Sequence, residues 1–254
     1  MAKTEPISAL FELIINYLKK ITKLVAKMGI TPNTMEMLAF AKQSGTDYSS
    51  TATLGRQQYY HCTPESWKSI VERYNLKNNI DPDNNYNFLK NGKYTEFLFE
   101  ILGARNITVF DADTYQKANH VHDFNKPISN KFHNKYSCFF DGGSLEHIFN
   151  TPVAIANCMN LVALNGHYLA ALPCNNWGGH GFYQFNPELF YRVLCEENGF
   201  SETKVFAYNE VGSHKISLFP DPKVIKHRIE FRTPQPVLLF VMSKKIFHNQ
   251  QFPF

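Results

Sequence analysis

The chain has 254 residues, 44% of them hydrophobic and 19% charged, which is the composition of an ordinary globular protein and excludes global disorder. Lys and Arg number 26 against 22 Asp and Glu, a net charge of +4 that is scattered rather than massed, so no nucleic acid is indicated as the main partner. The length suits one α/β domain with a covered sheet and is short for two.

Five cysteines (Cys62, Cys138, Cys158, Cys174 and Cys195) form no CxxC pair, so neither a zinc ribbon nor a disulfide framework is expected. They fit a reducing compartment. No uncharged apolar run approaches the roughly 20 residues of a membrane span, and the N-terminus carries no secretory signal. The expectation is a cytoplasmic, soluble protein without a transmembrane segment.

Residues 8–28 carry the clearest helical pattern, with Leu10, Ile14, Ile21 and Met28 on one line and Lys19, Lys20, Lys23 and Lys27 mostly off it. Such a stripe fits a helix docked on the domain; a substrate lid, a dimer contact or a membrane-surface helix is the sharper alternative. Pro32 limits its continuation. The organisation expected is residues 1–45 as helix and linker, docked on a domain spanning 46–254.

Ser50–Leu54 reads as a strand that ends at Gly55. Residues 75–92, rich in Asn and Asp, read as a long loop. Residues 93–102 have a helical pattern closed by Gly103. Strands are then predicted over 107–110, 118–122 and 136–140, ending at Asp111, Asp123 and Asp141. A helix over 152–163 stops at Asn165-Gly166, and a fifth strand over 167–172 is closed by Pro173. A helix over 187–199 runs from Asn186 as N-cap to Gly199. Strands over 204–208 and 236–242 flank a proline-punctuated irregular connection.

Alternating strands and helices predict a mostly parallel sheet covered on both faces, with ligands bound at the carboxyl ends of the strands. Gly55, Asp111, Asp123 and Asp141 fall at successive strand ends. An Asp ending the second strand can accept both ribose hydroxyls of an adenosine, although a turn Asp looks the same. Asp123 can accept an adenine amine with Phe124 against the ring, or it can cap an Asx-turn. The adjacent glycines Gly142 and Gly143 let backbone approach a ligand. Glu146 and His147 follow, able to act as general base or to bind a divalent cation, or else to serve as helix-start and structural residues. Trp177, His180, Tyr183 and Gln184 sit in a glycine-rich loop of the kind that contacts substrate or covers the core. Ten histidines include no HExxH run, and no metal site is assigned.

The phrases Phe110-Asp111-Ala112-Asp113-Thr114-Tyr115, His122-Asp123-Phe124-Asn125-Lys126-Pro127, Asp141 to Asn150, and Gly179 to Pro187 resemble class I S-adenosylmethionine-dependent methyltransferases. The closer resemblance is to a bacterial and phage-associated subgroup with a first motif like Leu54-Gly55-Arg56-Gln57 and a phrase like Asp141-Gly142-Gly143-Ser144-Leu145-Glu146-His147-Ile148-Phe149-Asn150. It covers somewhat under half of the chain firmly, and its motifs are specific in combination and weak singly.

The resemblance implies a Rossmann-like three-layer sandwich with a mostly parallel seven-stranded sheet and an antiparallel last strand. It implies S-adenosyl-L-methionine held over the first, second and fourth strands. Asp111 and Ala112 would sit at the ribose, Asp123 and Phe124 at the adenine, and Asp141, Gly142 and Gly143 beside the methyl donor. His147 is the candidate base, with Glu146 as its partner or as a metal ligand.

One departure is the first motif, where the usual GxGxG is reduced to Gly55 alone. Arg56 or Gln57 would then take the methionine carboxylate, or Tyr94 and Glu96 would replace them. The interval from Gly55 to Asp111 also exceeds the roughly 20 residues of a compact βαβ unit. The activity implied is methylation of a small-molecule or sugar-containing (glycan-type) acceptor, and a homo-oligomer is allowed. The alternative is a non-catalytic, methyltransferase-like binding or scaffold protein.

Overall fold

A computed structural model describes residue 12 and residues 29–76, 94–209, 215–230 and 232–248. Glu12 is helical and exposed; the rest of the helix expected over 8–28, and most of the loop over 75–92, lie outside the described residues.

Among the described residues, eight strands form one sheet in the order β3-β2-β1-β4-β5-β8-β6-β7. They are β1 Ser50–Leu54, β2 Asn106–Asp111, β3 His120–Val121, β4 Tyr136–Asp141, β5 Val162–Asn175, β6 Phe200–Asn209, β7 Ser217–Phe219 and β8 Val237–Lys245. Strands β1 to β5 pair in parallel. Strand β8 slots between β5 and β6 and runs antiparallel to both. The fold is therefore Rossmann-like with an antiparallel last strand. The sheet has one strand more than expected, because β7 adds an antiparallel edge to β6 inside the connection read as irregular.

The sheet is covered on both sides, since successive strand residues point to opposite faces. In β4 and β8, Cys138, Phe140, Leu238, Phe240 and Met242 meet a layer built from α1 (Pro32–Gln43), α2 (Pro64–Arg73) and α3 (Glu96–Ile101). Phe139, Leu239 and Val241 meet the opposite layer, built from α4 (Thr151–Leu161) and α5 (Pro187–Val193). A further short helix, α6, spans Pro222–Ile225.

Two helices depart from the sequence expectation. Pro32 does not end a helix but starts α1, with Thr31 as N-cap accepting from the Thr34 amide. Thr63-Pro64 starts α2 in the same way, with a capping box to Ser66. Proline at the first helical turn lacks only an N–H that would have had no partner there, so Thr-Pro is a start signal. Met35, Leu38 and Ala41 of α1 are buried in the core, so residues 32–43 pack against the sheet.

Other boundaries move. Helix α4 stops at Leu161 and β5 begins at once, at Val162. Asn165, at φ +62°, and Gly166 form an irregularity between the pairs Tyr136–Val162 and Cys138–His167 rather than a helix stop. A Cβ on Gly166 would meet the carbonyls of Ala163 and Ser137 at 2.9 Å, so only glycine lets the chain turn back onto β4. Helix α5 ends at Val193, short of the expected 199, and a 3-10 turn over Glu196–Asn198 follows. Gly199 closes that turn in the left-handed region. The third strand shrinks to His120–Val121.

Candidate active-site cleft

Strand order reverses between β1 and β4, the place where an open parallel sheet leaves a crevice at its carboxyl edge. A cavity of about 380 Å³ lies there, within the range of small-molecule sites. Its walls include Gly55, Arg56, Gln57, Asp111, Ala112, Asp123, Phe124, Gly142, Gly143 and His147. The topology thus gathers residues named from separate strand ends. Gln116, His122, Asn125 and Ser144 also line it; each lies within a few residues of a strand end, the one sequence signal that would have found them.

The floor is made by three loops in contact. Gly55 has φ +69°, and its amide donates to Phe110 O at 2.7 Å. A Cβ there would stand 2.6 Å from Ser144 Oγ, which itself donates to Leu54 O at 3.0 Å. Gln57 is buried; its Nε2 donates to Leu54 O at 2.8 Å, and a Cβ on Gly142 would lie 2.3 Å from its Oε1. Gln57 therefore supports the turn while lining the cleft.

Arg56 donates to the Glu96 carboxylate and to Gln116 O (3.1 Å), and its guanidinium lies 3.9 Å from the Tyr94 ring centroid. Its charge is answered by Glu96, so Tyr94 and Glu96 act on Arg56 and are not themselves on the cleft wall.

Asp111 ends β2, and its Oδ1 accepts from the Ala112 amide at 2.7 Å. Partial burial raises its pKa, while surrounding backbone amides pull the other way. Asp123 is an exposed Asx-turn residue, its Oδ1 accepting from the amide (3.0 Å) and side chain (2.8 Å) of Asn125. These bonds, with Lys126, lower its pKa. Phe124 is buried against Phe110 and His122.

Asp141 is fully buried beneath the cleft rather than on its wall. It accepts from the amides of Gly143 (3.1 Å), Ser144 (2.8 Å) and Leu145 (3.1 Å), and so shapes the turn that carries Gly142 and Gly143. Burial first, then the neighbouring Glu146, raises its pKa against those amide donors.

The next turn is 3-10, Leu145–His147. It directs Glu146 inward, fully buried, and His147 outward with 52% of its side chain exposed. The loop after β5 folds back onto this turn, with the Phe182 amide donating to Glu146 O at 2.7 Å. His180 arrives beside Glu146, its Nε2 at 3.5 Å from Oε1, while His147 Nε2 lies at 3.9 Å from the same oxygen.

Its neighbours in that loop are placed away from the cleft. Trp177 is buried and donates to Val237 O, and Gln184 Oε1 accepts from the Trp177 amide. Tyr183 donates to Phe149 O.

No protein-family model matches the sequence, and a search of curated proteins gives no match. Similar solved structures include a Bacillus halodurans protein assigned as a methyltransferase (8% identity, 84% of this chain and 99% of that one, TM-score 0.45). Another is a Burkholderia thailandensis 1,6-didemethyltoxoflavin-N1-methyltransferase bound to its namesake and S-adenosylhomocysteine (10%, 97% and 93%, 0.44). A third is a SAM-dependent methyltransferase from Archaeoglobus fulgidus (12%, 83% and 94%, 0.42). With TM-scores of 0.42–0.45 these likenesses are distant, and the fold assignment rests on the strand order and directions above.

Proposed function

We propose that the chain is an S-adenosylmethionine-dependent methyltransferase acting on a small-molecule or sugar-containing acceptor. The observation that carries this is that one cleft at the β1/β4 reversal is lined by Gly55, Asp111, Asp123 and Gly142 together. Glycines where loops meet and an Asp at the end of β2 suit a nucleoside with a polar tail.

In this assignment Asp111 accepts the ribose hydroxyls, and Phe124 and Asp123 flank the adenine. The backbone of Gly142 and Gly143 borders the methionine end. With Arg56 answered by Glu96, the methionine carboxylate falls to backbone amides and Gln57. The bound group supplies an electrophilic methyl on a sulfonium. The chain's part is to align the acceptor in line with it and to take up the acceptor's proton. His147 is our candidate for that proton, a reading supported by its exposure on the cleft wall and by Glu146 behind it. Five free cysteines support a reducing, cytoplasmic setting, and no helix among the described residues is long and apolar enough to cross a membrane.

The test is thermal shift and calorimetry with S-adenosylmethionine and S-adenosylhomocysteine in a chelator-containing buffer. A ligand at 100 times its Kd should stabilise the fold by about 2.7 kcal/mol. No shift with either at millimolar concentration overturns the assignment. Binding without transfer to any acceptor would leave the non-catalytic binding protein.

A further inference from the structure

Glu146 is sealed from solvent, and neither carboxylate oxygen has a hydrogen-bond partner among the described residues. His180 Nε2 is also buried and hydrogen-bonds to none of them. The two stand 3.5 Å apart, within ion-pair reach but without a hydrogen bond, and a buried carboxylate so placed costs free energy unless a donor or cation answers it. Asp141, one turn away and equally buried, adds a second acid without offering a donor.

The ligand-type atoms of Glu146, His147 and His180 all lie within 4.8 Å of one another. A cation bound at about 2.0–2.2 Å by two imidazoles and a carboxylate sets those atoms about 3.3 Å apart. The Glu146–His180 separation of 3.5 Å is close to that value. His147, half exposed, has room to close the remaining gap from 3.9 Å.

The juxtaposition is held by the backbone. Gly181, at φ +74°, packs so tightly that a Cβ would meet Glu146 O at 2.8 Å and Cγ at 2.9 Å. Only glycine lets the β5 loop close over the carboxylate and deliver His180.

We propose that Glu146, His147 and His180 form a site for a divalent transition-metal ion just behind the cleft wall, which His147 alone of the three lines. Two nitrogens and one carboxylate oxygen suit zinc, cobalt or iron(II), and suit magnesium poorly because it prefers oxygen ligands. Three protein ligands leave a position toward the cleft, through His147, for a water or an acceptor oxygen. With the ion present His147 is a ligand, and activation of an acceptor hydroxyl passes to the metal. The site stands on its own geometry and does not rest on the methyl donor.

The experiment is titration of chelator-stripped protein with Zn²⁺ and with Co²⁺, without methyl donor or acceptor. It is followed by calorimetry and, for Co²⁺, visible absorption. One ion per chain is expected, with Co²⁺ bands of a low-coordinate nitrogen–oxygen site. Affinity should fall at least tenfold in His180→Asn and in Glu146→Gln, with Mg²⁺ giving no comparable heat. His180→Asn lies on a loop, so it reports even if Glu146→Gln fails to fold. Absence of stoichiometric binding, or equal binding by wild type and His180→Asn, overturns the site. A null result with S-adenosylmethionine would leave these titrations unaffected, so the two proposals fail separately.

Discussion

Gly55 and Ser144 meet across the carboxyl edge of the sheet so closely that a Cβ on Gly55 would lie 2.6 Å from the Ser144 hydroxyl. The same hydroxyl holds the Leu54 carbonyl. The loops after β1 and β4 are thereby locked together at the floor of the cleft. Gly55→Ala would add both this clash and a left-handed residue with a side chain. It should cost about 1–3 kcal/mol in urea unfolding, and an unchanged midpoint would show that the loops are not in contact.

Asp111→Ala removes the acceptor assigned to the ribose and leaves the strand intact. Cofactor affinity should fall about 100-fold, with the unfolding midpoint of the ligand-free protein little changed. Equal affinities by calorimetry would remove Asp111 from the site.

His147→Ala should keep S-adenosylhomocysteine binding within a few-fold of wild type. Turnover with any acceptor found should drop by about 10²–10⁴, the usual range for a proton-transfer group. Loss of cofactor binding instead would place His147 at the donor rather than at the acceptor.

Lys245 is 1% exposed, and its ammonium donates to Asn134 Oδ1 (2.9 Å), Met159 O (3.0 Å) and Val162 O (3.0 Å). Two of these are carbonyls at the end of α4, where no further helical turn supplies amides. Burial pushes its pKa down to about 8. Lys245→Met leaves three acceptors without their donor and should cost about 3 kcal/mol. A midpoint within experimental error of wild type would contradict this.

His167 and His133 are both held below the ordinary histidine value of 6.5, chiefly by burial. Below pH 6.5 the unfolded chain therefore binds more protons than the folded one, and stability falls as pH drops through that window. Their contribution is constant above it. His167→Leu should flatten the slope of stability between pH 6.5 and 5; a slope identical to wild type would exclude His167 as its source.

Much of this architecture is local and could be read from residue order. The bounds of β1 and the acids closing β2 and β4 follow from short apolar runs stopped by Gly or Asp. The helix start at Asn186-Pro187 is equally legible, with Asn186 as the N-cap. The same cap-plus-proline signal starts helices at Thr31-Pro32, Thr63-Pro64 and Asp221-Pro222, although Pro32 on its own reads as a limit to the helix before it.

Sequence by itself determined the α/β class, the parallel core of the sheet and the row of strand ends where a ligand binds, since side-chain period and turn chemistry act over a few residues. Tertiary structure decided which of those ends share a cleft, and that Asp141 lies beneath it while Asp111 lines it. It also decided that Trp177 belongs to the core while His180 faces Glu146. These are contacts between distant loops, fixed by close backbone approaches at Gly55, Gly142 and Gly181, and no local pattern encodes which loop a glycine will meet.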